Sequence, residues 1–177
     1  MRVISGTARG RKLISPEGFD IRPTTDNVKE SLFNIIQFDI EGRRVLDLFA
    51  GSGQLGIECL SREAESVVFV DERREAIKIV KQNLEKCGFS AEVVMTDAIS
   101  YLKRCDKFDI IFVDPPYDSD YYEIVMQNIN LFDILTKGGI IIFESRADHA
   151  PVDCDLPYYP LKSYVYGKVR LSLYSRY

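Results

Sequence analysis

Apolar residues first recur at helical spacing after the cluster Thr24-Thr25-Asp26-Asn27, a set of N-cap residues that follows Pro23. Val28, Leu32, Phe33, Ile35 and Ile36 then mark one face of a predicted helix. From Arg44 onward the pattern changes to short compact runs, Val45–Ala50, Ser66–Val70, Glu92–Met95 and Phe108–Val113, separated by amphipathic stretches at 57–63, 73–87 and 97–104. Strands alternating with helices predict a parallel sheet joined by right-handed crossovers. A further helix is expected near 121–130, and Gly138-Gly139 leads into Ile140–Glu144, a fifth buried strand. Leu161–Tyr166 and Val169–Tyr174 are separated only by Gly167-Lys168 and predict an antiparallel hairpin at the sheet edge. The expected class is α/β, an open and mostly parallel sheet of about seven strands finished by that hairpin.

Residues 1–22 read differently. Arg2-Val3-Ile4-Ser5 and Arg11-Lys12-Leu13-Ile14 flank Gly6-Thr7-Ala8-Arg9-Gly10, which predicts a short hairpin with a basic tip. Below about 40 residues such a unit cannot hold itself together, so it must lean on the domain formed by residues 23–177. The whole chain of 177 residues is 46% hydrophobic, enough for one core, and carries a net charge of −4. That balance excludes a uniformly basic nucleic-acid coat. Yet the first fifteen residues hold Arg2, Arg9, Arg11 and Lys12 without an acid, an asymmetry that points to an anionic partner.

Cys59, Cys87, Cys105 and Cys154 lie far apart and His149 is the single histidine, so zinc-ligand spacing is absent and no metal is expected. Nothing resembles a signal peptide or a membrane span of about 18 apolar residues, which predicts a cytoplasmic protein with reduced thiols and no membrane partner. His149, in the polar stretch before Ala150-Pro151, reads as a surface loop residue. Tyr158, Tyr159, Tyr164, Tyr166, Tyr174 and Tyr177 read as strand packing.

Gly51-Ser52-Gly53-Gln54-Leu55-Gly56 matches G-x-G-x-x-G where a strand should turn into a helix, and Asp71 stands about 20 residues on, at the end of the next strand. The glycines let a nucleotide approach the backbone, and the acid suits ribose hydroxyls. Asp47, in Asp47-Leu48-Phe49-Ala50-Gly51, would repel a pyrophosphate beside the loop. A cationic cofactor fits better, and S-adenosylmethionine, with a sulfonium and no phosphate, is such a group. Ala50, Gly51, Ser52 and Gly53 then form the cofactor loop, and Asp97-Ala98 after the third strand offers a polar edge for adenine. Each acid has a structural alternative: Asp47 as a helix-capping or strand-end carboxylate, Asp71 as a helix start, Asp97 as the N-cap of the next helix.

The fourth strand runs into Asp114-Pro115-Pro116-Tyr117. The prolines stop the strand, stiffen the loop and leave carbonyls free. An exocyclic amine on a base is a poor nucleophile, because its lone pair is delocalised into the ring. Asp114 and the Pro115 carbonyl can each accept one N–H bond, steering that lone pair and stabilising charge as it develops. Tyr117 offers a ring face for a flipped base.

At this point the chain resembles a known family over nearly its whole length. Asp-Leu-Phe-Ala-Gly-Ser-Gly at 47–53, Asp-Pro-Pro-Tyr at 114–117, Arg-Gly-Arg-Lys-Leu at 9–13 and Arg-Pro-Thr-Thr-Asp at 22–26 together are similar to bacterial 16S ribosomal RNA guanine-N2 methyltransferases. Ser31-Leu32-Phe33-Asn34 and the Tyr166-Gly167 hairpin match as well. The resemblance implies the Rossmann-like class I methyltransferase fold, S-adenosylmethionine as donor, and a guanine amine of small-subunit ribosomal RNA, within an assembling 30S particle, as acceptor. It implies cofactor contacts at Asp47, Gly51, Gly53, Asp71 and Asp97, a catalytic loop at Asp114–Tyr117, and an RNA-positioning arm carrying Arg2, Arg9, Arg11, Lys12 and Arg22. Glu63 stands where the family usually has glycine, and Gln54 replaces a small residue. The alternative acceptors are adenine N6 in DNA or RNA, or a protein amide, because Asp-Pro-Pro-Tyr is shared with other amino methylases.

Overall fold

The computed structural model describes residues 1–15, 26–116 and 121–177. Arg22 and Tyr117 therefore lie outside the described residues. Seven strands form one sheet in the order β3-β2-β1-β4-β5-β7-β6. They are β1 (Arg44–Asp47), β2 (Ser66–Asp71), β3 (Glu92–Met95), β4 (Phe108–Val113), β5 (Leu135–Arg146), β6 (Tyr158–Tyr166) and β7 (Val169–Arg176). The first five run parallel, whereas β7 pairs antiparallel with both β5 and β6. The helices are α1 (Asp26–Ile35), α2 (Gln54–Ser61), α3 (Arg74–Cys87), α4 (Ala98–Leu102) and α5 (Tyr121–Phe132).

The alternation expected from the sequence is present, with differences at boundaries. β1 ends at Asp47 and the chain turns at Leu48 and Phe49, so the apolar run Val45–Ala50 is strand only as far as Asp47, although Leu48 N–H still donates to Phe112 and Ala50 N–H to Val70. α2 starts at Gln54, three residues before the apolar pattern, because Gly53 in the left-handed region turns the chain straight into the helix. β5 begins at Leu135 because a register shift between Phe108 and Ile110 lets Leu135 pair with β4 ahead of Gly138-Gly139.

Two apolar clusters cover the two faces. On one, α1, α2 and α3 bury Leu32, Phe33, Ile57 and Val80 against Val45, Phe69, Phe112, Ile142 and Leu173. On the other, α4 and α5 bury Leu102, Val125 and Ile129 against Leu46, Val70, Ile111 and Phe143. Residues two apart on a strand share a face, so these two lists interleave along each strand. No helix of the described residues is long and apolar enough to cross a membrane.

The N-terminal hairpin forms one β-bridge, Arg2 to Lys12, rather than regular strands, and is closed by Val3 N–H on the Arg11 carbonyl, Gly10 N–H on the Val3 carbonyl and Leu13 N–H on the Met1 carbonyl. Val3, Ala8 and Leu13 are buried in the first cluster, while Arg2, Arg9, Arg11 and Lys12 are exposed. Its turn lies on the C-terminal half of α2: Thr7 N–H donates to the Ser61 carbonyl at 2.8 Å and Ala8 N–H to Ser61 Oγ at 2.9 Å. Gly6 is so close that a Cβ there would lie 1.7 Å from the Ser61 carbonyl oxygen. Deeper in, Glu58 accepts from Ile4 N–H at 2.8 Å and Ser5 N–H at 2.9 Å. Lys29 of α1 pairs with Glu58 at 3.2 Å, both side chains fully buried, and donates to the Arg2 carbonyl at 2.7 Å.

The α2 C-terminus explains Glu63. Ala64 N–H returns to the Cys59 carbonyl and Glu63 N–H to the Leu60 carbonyl, the Schellman arrangement, which places Glu63 at φ 68°. Glycine is the natural occupant of that left-handed position, and glutamate holds it here at a cost in strain.

Candidate active site

Strand register brings four acids to one edge and one face. Val45, Phe69, Phe112 and Ile142 belong to the first cluster, and the next residues of the same parity are Asp47, Asp71, Asp114 and Glu144. Asp47 pairs in register with Phe69 on one side and Phe112 on the other, while Val113 pairs with Phe143. The acids therefore crown β2, β1, β4 and β5 in sheet order, at the C-terminal edge where open α/β sheets bind ligands. Asp47, Asp71 and Glu144 are buried and Asp114 is half-buried.

Their surroundings separate their tasks. Asp47 accepts the Gly56 amide at 3.0 Å, so it caps the first turn of α2 from the end of β1, as its structural alternative allowed. Burial nonetheless raises it to about 7, against the pull of that amide and with a further push from Asp71. Asp114 is pushed well above the usual carboxylate range, first by burial and then by the negative charges of Glu144 and Asp47. Among the described residues no lysine or arginine forms an ion pair with Asp47 or Asp114.

Asp71 is fully engaged. It accepts the Gly51 amide at 2.9 Å and grips Arg73 through both carboxylate oxygens at 3.0 Å, with the Arg73 amide as a further donor. A ribose at Asp71 would compete with that guanidinium, a feature that spacing alone does not reveal. Asp97 is the N-cap of α4, accepting from Ser100 N–H at 2.9 Å, and this bond holds it below the usual carboxylate range. Ala98 is buried in the first turn of that helix.

The three glycines of the loop serve two separate needs. Gly51 and Gly53 have φ of 56° and 76°, positions where a side chain is strained. Gly56 lies against the sheet, since a Cβ there would come within 2.3 Å of the Phe69 ring. Ala50 and Ser52 are buried beside them. Asn83 of α3, which the sequence pattern does not single out, donates to the Ser52 carbonyl at 2.9 Å and pairs with both the amide and the carbonyl of Ile14. It joins the loop to the end of the N-terminal segment. Met1 Sδ also accepts from Ser52 Oγ at 3.6 Å.

Pro115 is buried and Pro116 exposed, so the described part of the Asp-Pro-Pro loop projects from the acid edge. The structure thus brings together Asp47, the glycine loop, Asp71 and Asp114 from the residues expected, and adds Glu144. Asp97 and Ala98 stand at the end of β3, beyond Asp71. Arg2, Arg9, Arg11 and Lys12 are exposed on the hairpin whose turn rests on α2, and none has an ion-pair partner among the described residues. The signal for Glu144 was available: it continues the alternation of Ile140 and Ile142, but only the register with β4 places it opposite Asp114.

Residues 1–175 match the model of a family described as conserved hypothetical protein 95. Ribosomal RNA small subunit methyltransferase D of Escherichia coli is 36% identical over 182 residues, covering 99% of this chain and 90% of that protein. Protein YlbH of Bacillus subtilis is 45% identical over 150 residues, 81% of this chain and 82% of its own. The solved structure of yhhF from Escherichia coli superposes with a TM-score of 0.89 at 34% identity, covering 99% of this chain and 97% of that one. The Rossmann-like methyltransferase fold implied by the sequence motifs is the one found. The chain belongs to the conserved hypothetical protein 95 family, in company with proteins named as small-subunit ribosomal RNA methyltransferases.

Proposed function

We propose that the protein transfers a methyl group from S-adenosylmethionine to the exocyclic N2 amine of a guanine in 16S ribosomal RNA. The observation that carries this reading is the placement of Asp114-Pro115-Pro116 at the acid edge beside a glycine loop with two left-handed residues. The residues present suit the cofactor. Asp47 and Asp114 are carboxylates in a poorly solvated cluster without a basic partner among the described residues, a place that favours a cation over a pyrophosphate.

S-adenosylmethionine, when bound, supplies the electrophilic methyl group. Gly51 and Gly53 leave the backbone bare for it, and Asp47 answers its positive charge. Asp71 would accept the ribose hydroxyls, exchanging part of its bond to Arg73, and Asp97 with Ala98 would border the adenine. Asp114 and the Pro115 carbonyl would each accept one amine N–H, freeing the nitrogen lone pair from the ring; the nitrogen gains the methyl carbon as the donor's sulfonium becomes a neutral thioether, and Asp114 would take the proton that the amine gives up. The negative charge of Glu144 and Asp47 opposes ionisation of Asp114 in the free protein; positive charge arriving at the site reverses that balance. Tyr117 stacks on the target base, and Pro116 stiffens the turn that presents it.

Residues 1–22 form the RNA-positioning arm, with Arg2, Arg9, Arg11, Lys12 and Arg22 on phosphates. A small exposed basic surface on an acidic protein suits a substrate that is already folded within an assembling 30S particle. The test is transfer of labelled methyl to unmodified small subunits, protein-free RNA, DNA and protein, followed by nucleoside analysis. N2-methylguanosine from small subunits is expected. Label in adenine or in protein refutes the acceptor assignment.

A further inference from the structure

The β6–β7 hairpin carries chemistry that the proposed site does not use. Residues 158–177 contain Lys162, Lys168, Arg170 and Arg176 and no Asp or Glu, in a chain whose net charge is −4. Six tyrosines accompany them, and the structure divides these by role. Tyr158 and Tyr174 are buried, their hydroxyls donating to the Ile129 and Val152 carbonyls. Tyr159 stacks on Tyr177 at the opposite end of the strands. Tyr164 and Tyr166 are half-exposed, with their rings nearly parallel at 16° and 6.4 Å between centroids. Lys162 lies 5.0 Å above the Tyr164 ring.

Register fixes where this pair stands. Glu144 pairs with Leu171, and Leu171 with Tyr164, so Tyr164 occupies the same row as Glu144, two strands further out. Tyr166 lies one step beyond it, in the row of Val169 and Arg146. Leu171 and Leu173 belong to the first cluster, and Tyr164, Tyr166 and Val169 pack against it. The rings therefore share the face of Asp47, Asp114 and Glu144. At about 4.8 Å per strand, Tyr164 is roughly 14 Å from Asp114, a distance of a few nucleotides. The turn Gly167-Lys168 points past the same edge, and Lys168 is exposed. Arg146 pairs with Asp148, and Arg170 is occupied by Ser163 Oγ and the Ala147 carbonyl, which leaves Lys162 and Lys168 as the outward cations.

We propose that Tyr164, Tyr166, Lys162 and Lys168 form a second RNA contact, a shelf on which bases flanking the target stack while the lysines meet their phosphates. This rests on the reading of the protein as an RNA methyltransferase and names how that RNA is held on the side away from the N-terminal arm. Parallel aromatic rings accept any base face, and adjacent ammonium groups answer the backbone, the combination that single-stranded nucleic acid requires. A target base lifted out of its stack leaves neighbours whose faces such a shelf can cover.

The test uses the full chain and a fluorescently labelled single-stranded oligoribonucleotide, titrated across a range of salt. The double variant Lys162→Ala/Lys168→Ala is expected to bind several-fold more weakly and to lower the slope of log affinity against log salt by about 1.4, from two phosphate contacts at about 0.7 each. Tyr166→Leu, which keeps an apolar side chain against the core, is expected to lose about tenfold in affinity, whereas Tyr166→Phe keeps it. S-adenosylmethionine affinity should stay at the wild-type value in all three, which separates lost RNA contact from lost folding. An unchanged salt slope in the lysine variant, or equal affinities of the Leu and Phe variants, overturns the proposal. So does a wild-type chain that binds no RNA and captures a small-subunit protein through this hairpin instead. The methylated nucleoside is identified separately, so RNA binding through the hairpin with methylation of another base refutes the guanine assignment and leaves the shelf standing.

Discussion

Replacing Lys29 by methionine probes what fastens the N-terminal segment to the domain. Lys29 and Glu58 meet at 3.2 Å with both side chains fully buried. Glu58 also receives Arg62 Nε at 3.0 Å and the amides of Ile4 and Ser5, and Lys29 spends a second bond on the Arg2 carbonyl. Burial pushes the Lys29 ammonium below its usual range, and Glu58 pulls it back up. Removing one partner of a buried pair costs about 3–5 kcal/mol, because the other charge is left in a poor solvent. Arg62 and two amides still face Glu58 after the change, and methionine keeps the length of the stem, so the expected loss is near 3 kcal/mol. With a urea dependence of about 2 kcal/mol per molar, the unfolding midpoint should fall by about 1.5 M. Glu58→Gln removes the opposite charge, and the double variant Lys29→Met/Glu58→Gln should be less destabilised than the two single changes added together. A midpoint shift under about 0.3 M, or strict additivity, would refute the reasoning and leave the segment held by its apolar contacts alone.

Further predictions concern the site and the α2 terminus. Asp47 sits at about 7 in the folded chain against an unfolded value near 4, so the folded state binds the extra proton; its contribution is complete below pH 4 and is lost as pH rises through 7. Cofactor-free protein should lose roughly 2–4 kcal/mol between pH 4 and 8 from this group, a slope that thermal unfolding of Asp47→Asn should lack. Cationic S-adenosylmethionine favours the ionised form, so calorimetry should show its affinity rising over the same interval. Asp114→Ala should keep cofactor binding and lose at least 100-fold in turnover, by analogy with the loss of one charge-stabilising group; unaltered turnover in a labelled-methyl assay would exclude Asp114 from the chemistry. Glu63→Gly should stabilise the chain by about 0.5–1 kcal/mol in urea unfolding, since φ 68° no longer opposes a side chain.

Much of the fold was legible because burial on parallel strands and amphipathic helices is written in local periodicity. The runs from Ser66, Glu92 and Phe108 and the turn at Gly167 lie where the apolar pattern put them, whereas the first run is strand only to Asp47 and the hairpin begins at Tyr158 rather than Leu161. The acid edge was legible in three of its members, Asp47, Asp71 and Asp114, since each closes an apolar run. Glu144 was not, because a glutamate at the end of a strand is unremarkable until a neighbouring strand sets it beside another carboxylate. Lys29, Glu58 and Asn83 were hidden for a related reason. Each is a polar residue among apolar helix positions, and the partners that tie it to the N-terminal segment or to another helix are 27 to 69 residues away in sequence. Arg73 was obscured by proximity instead: it follows Asp71 by two residues, and only the folded turn shows it gripping the acid assigned to ribose.

Helix α2 is only eight residues long, yet both of its ends are committed. Its first turn is tied through Gly56 to Asp47, and its second half is tied through Glu58 and Ser61 to the N-terminal segment. At about 1.5 Å per residue it is a rod of about 12 Å set between the glycine loop and the N-terminal segment. Under the proposed function the helix acts as a gauge: the spacing between donor and acceptor is then a property of one helix, not something adjusted at each encounter. Inserting a single alanine after Ile57 would lengthen the rod by about 1.5 Å and swing Glu58 and Ser61 by about 100°, away from the backbone they hold. Such a chain could retain its sheet and its cofactor loop while presenting the arm out of phase with both.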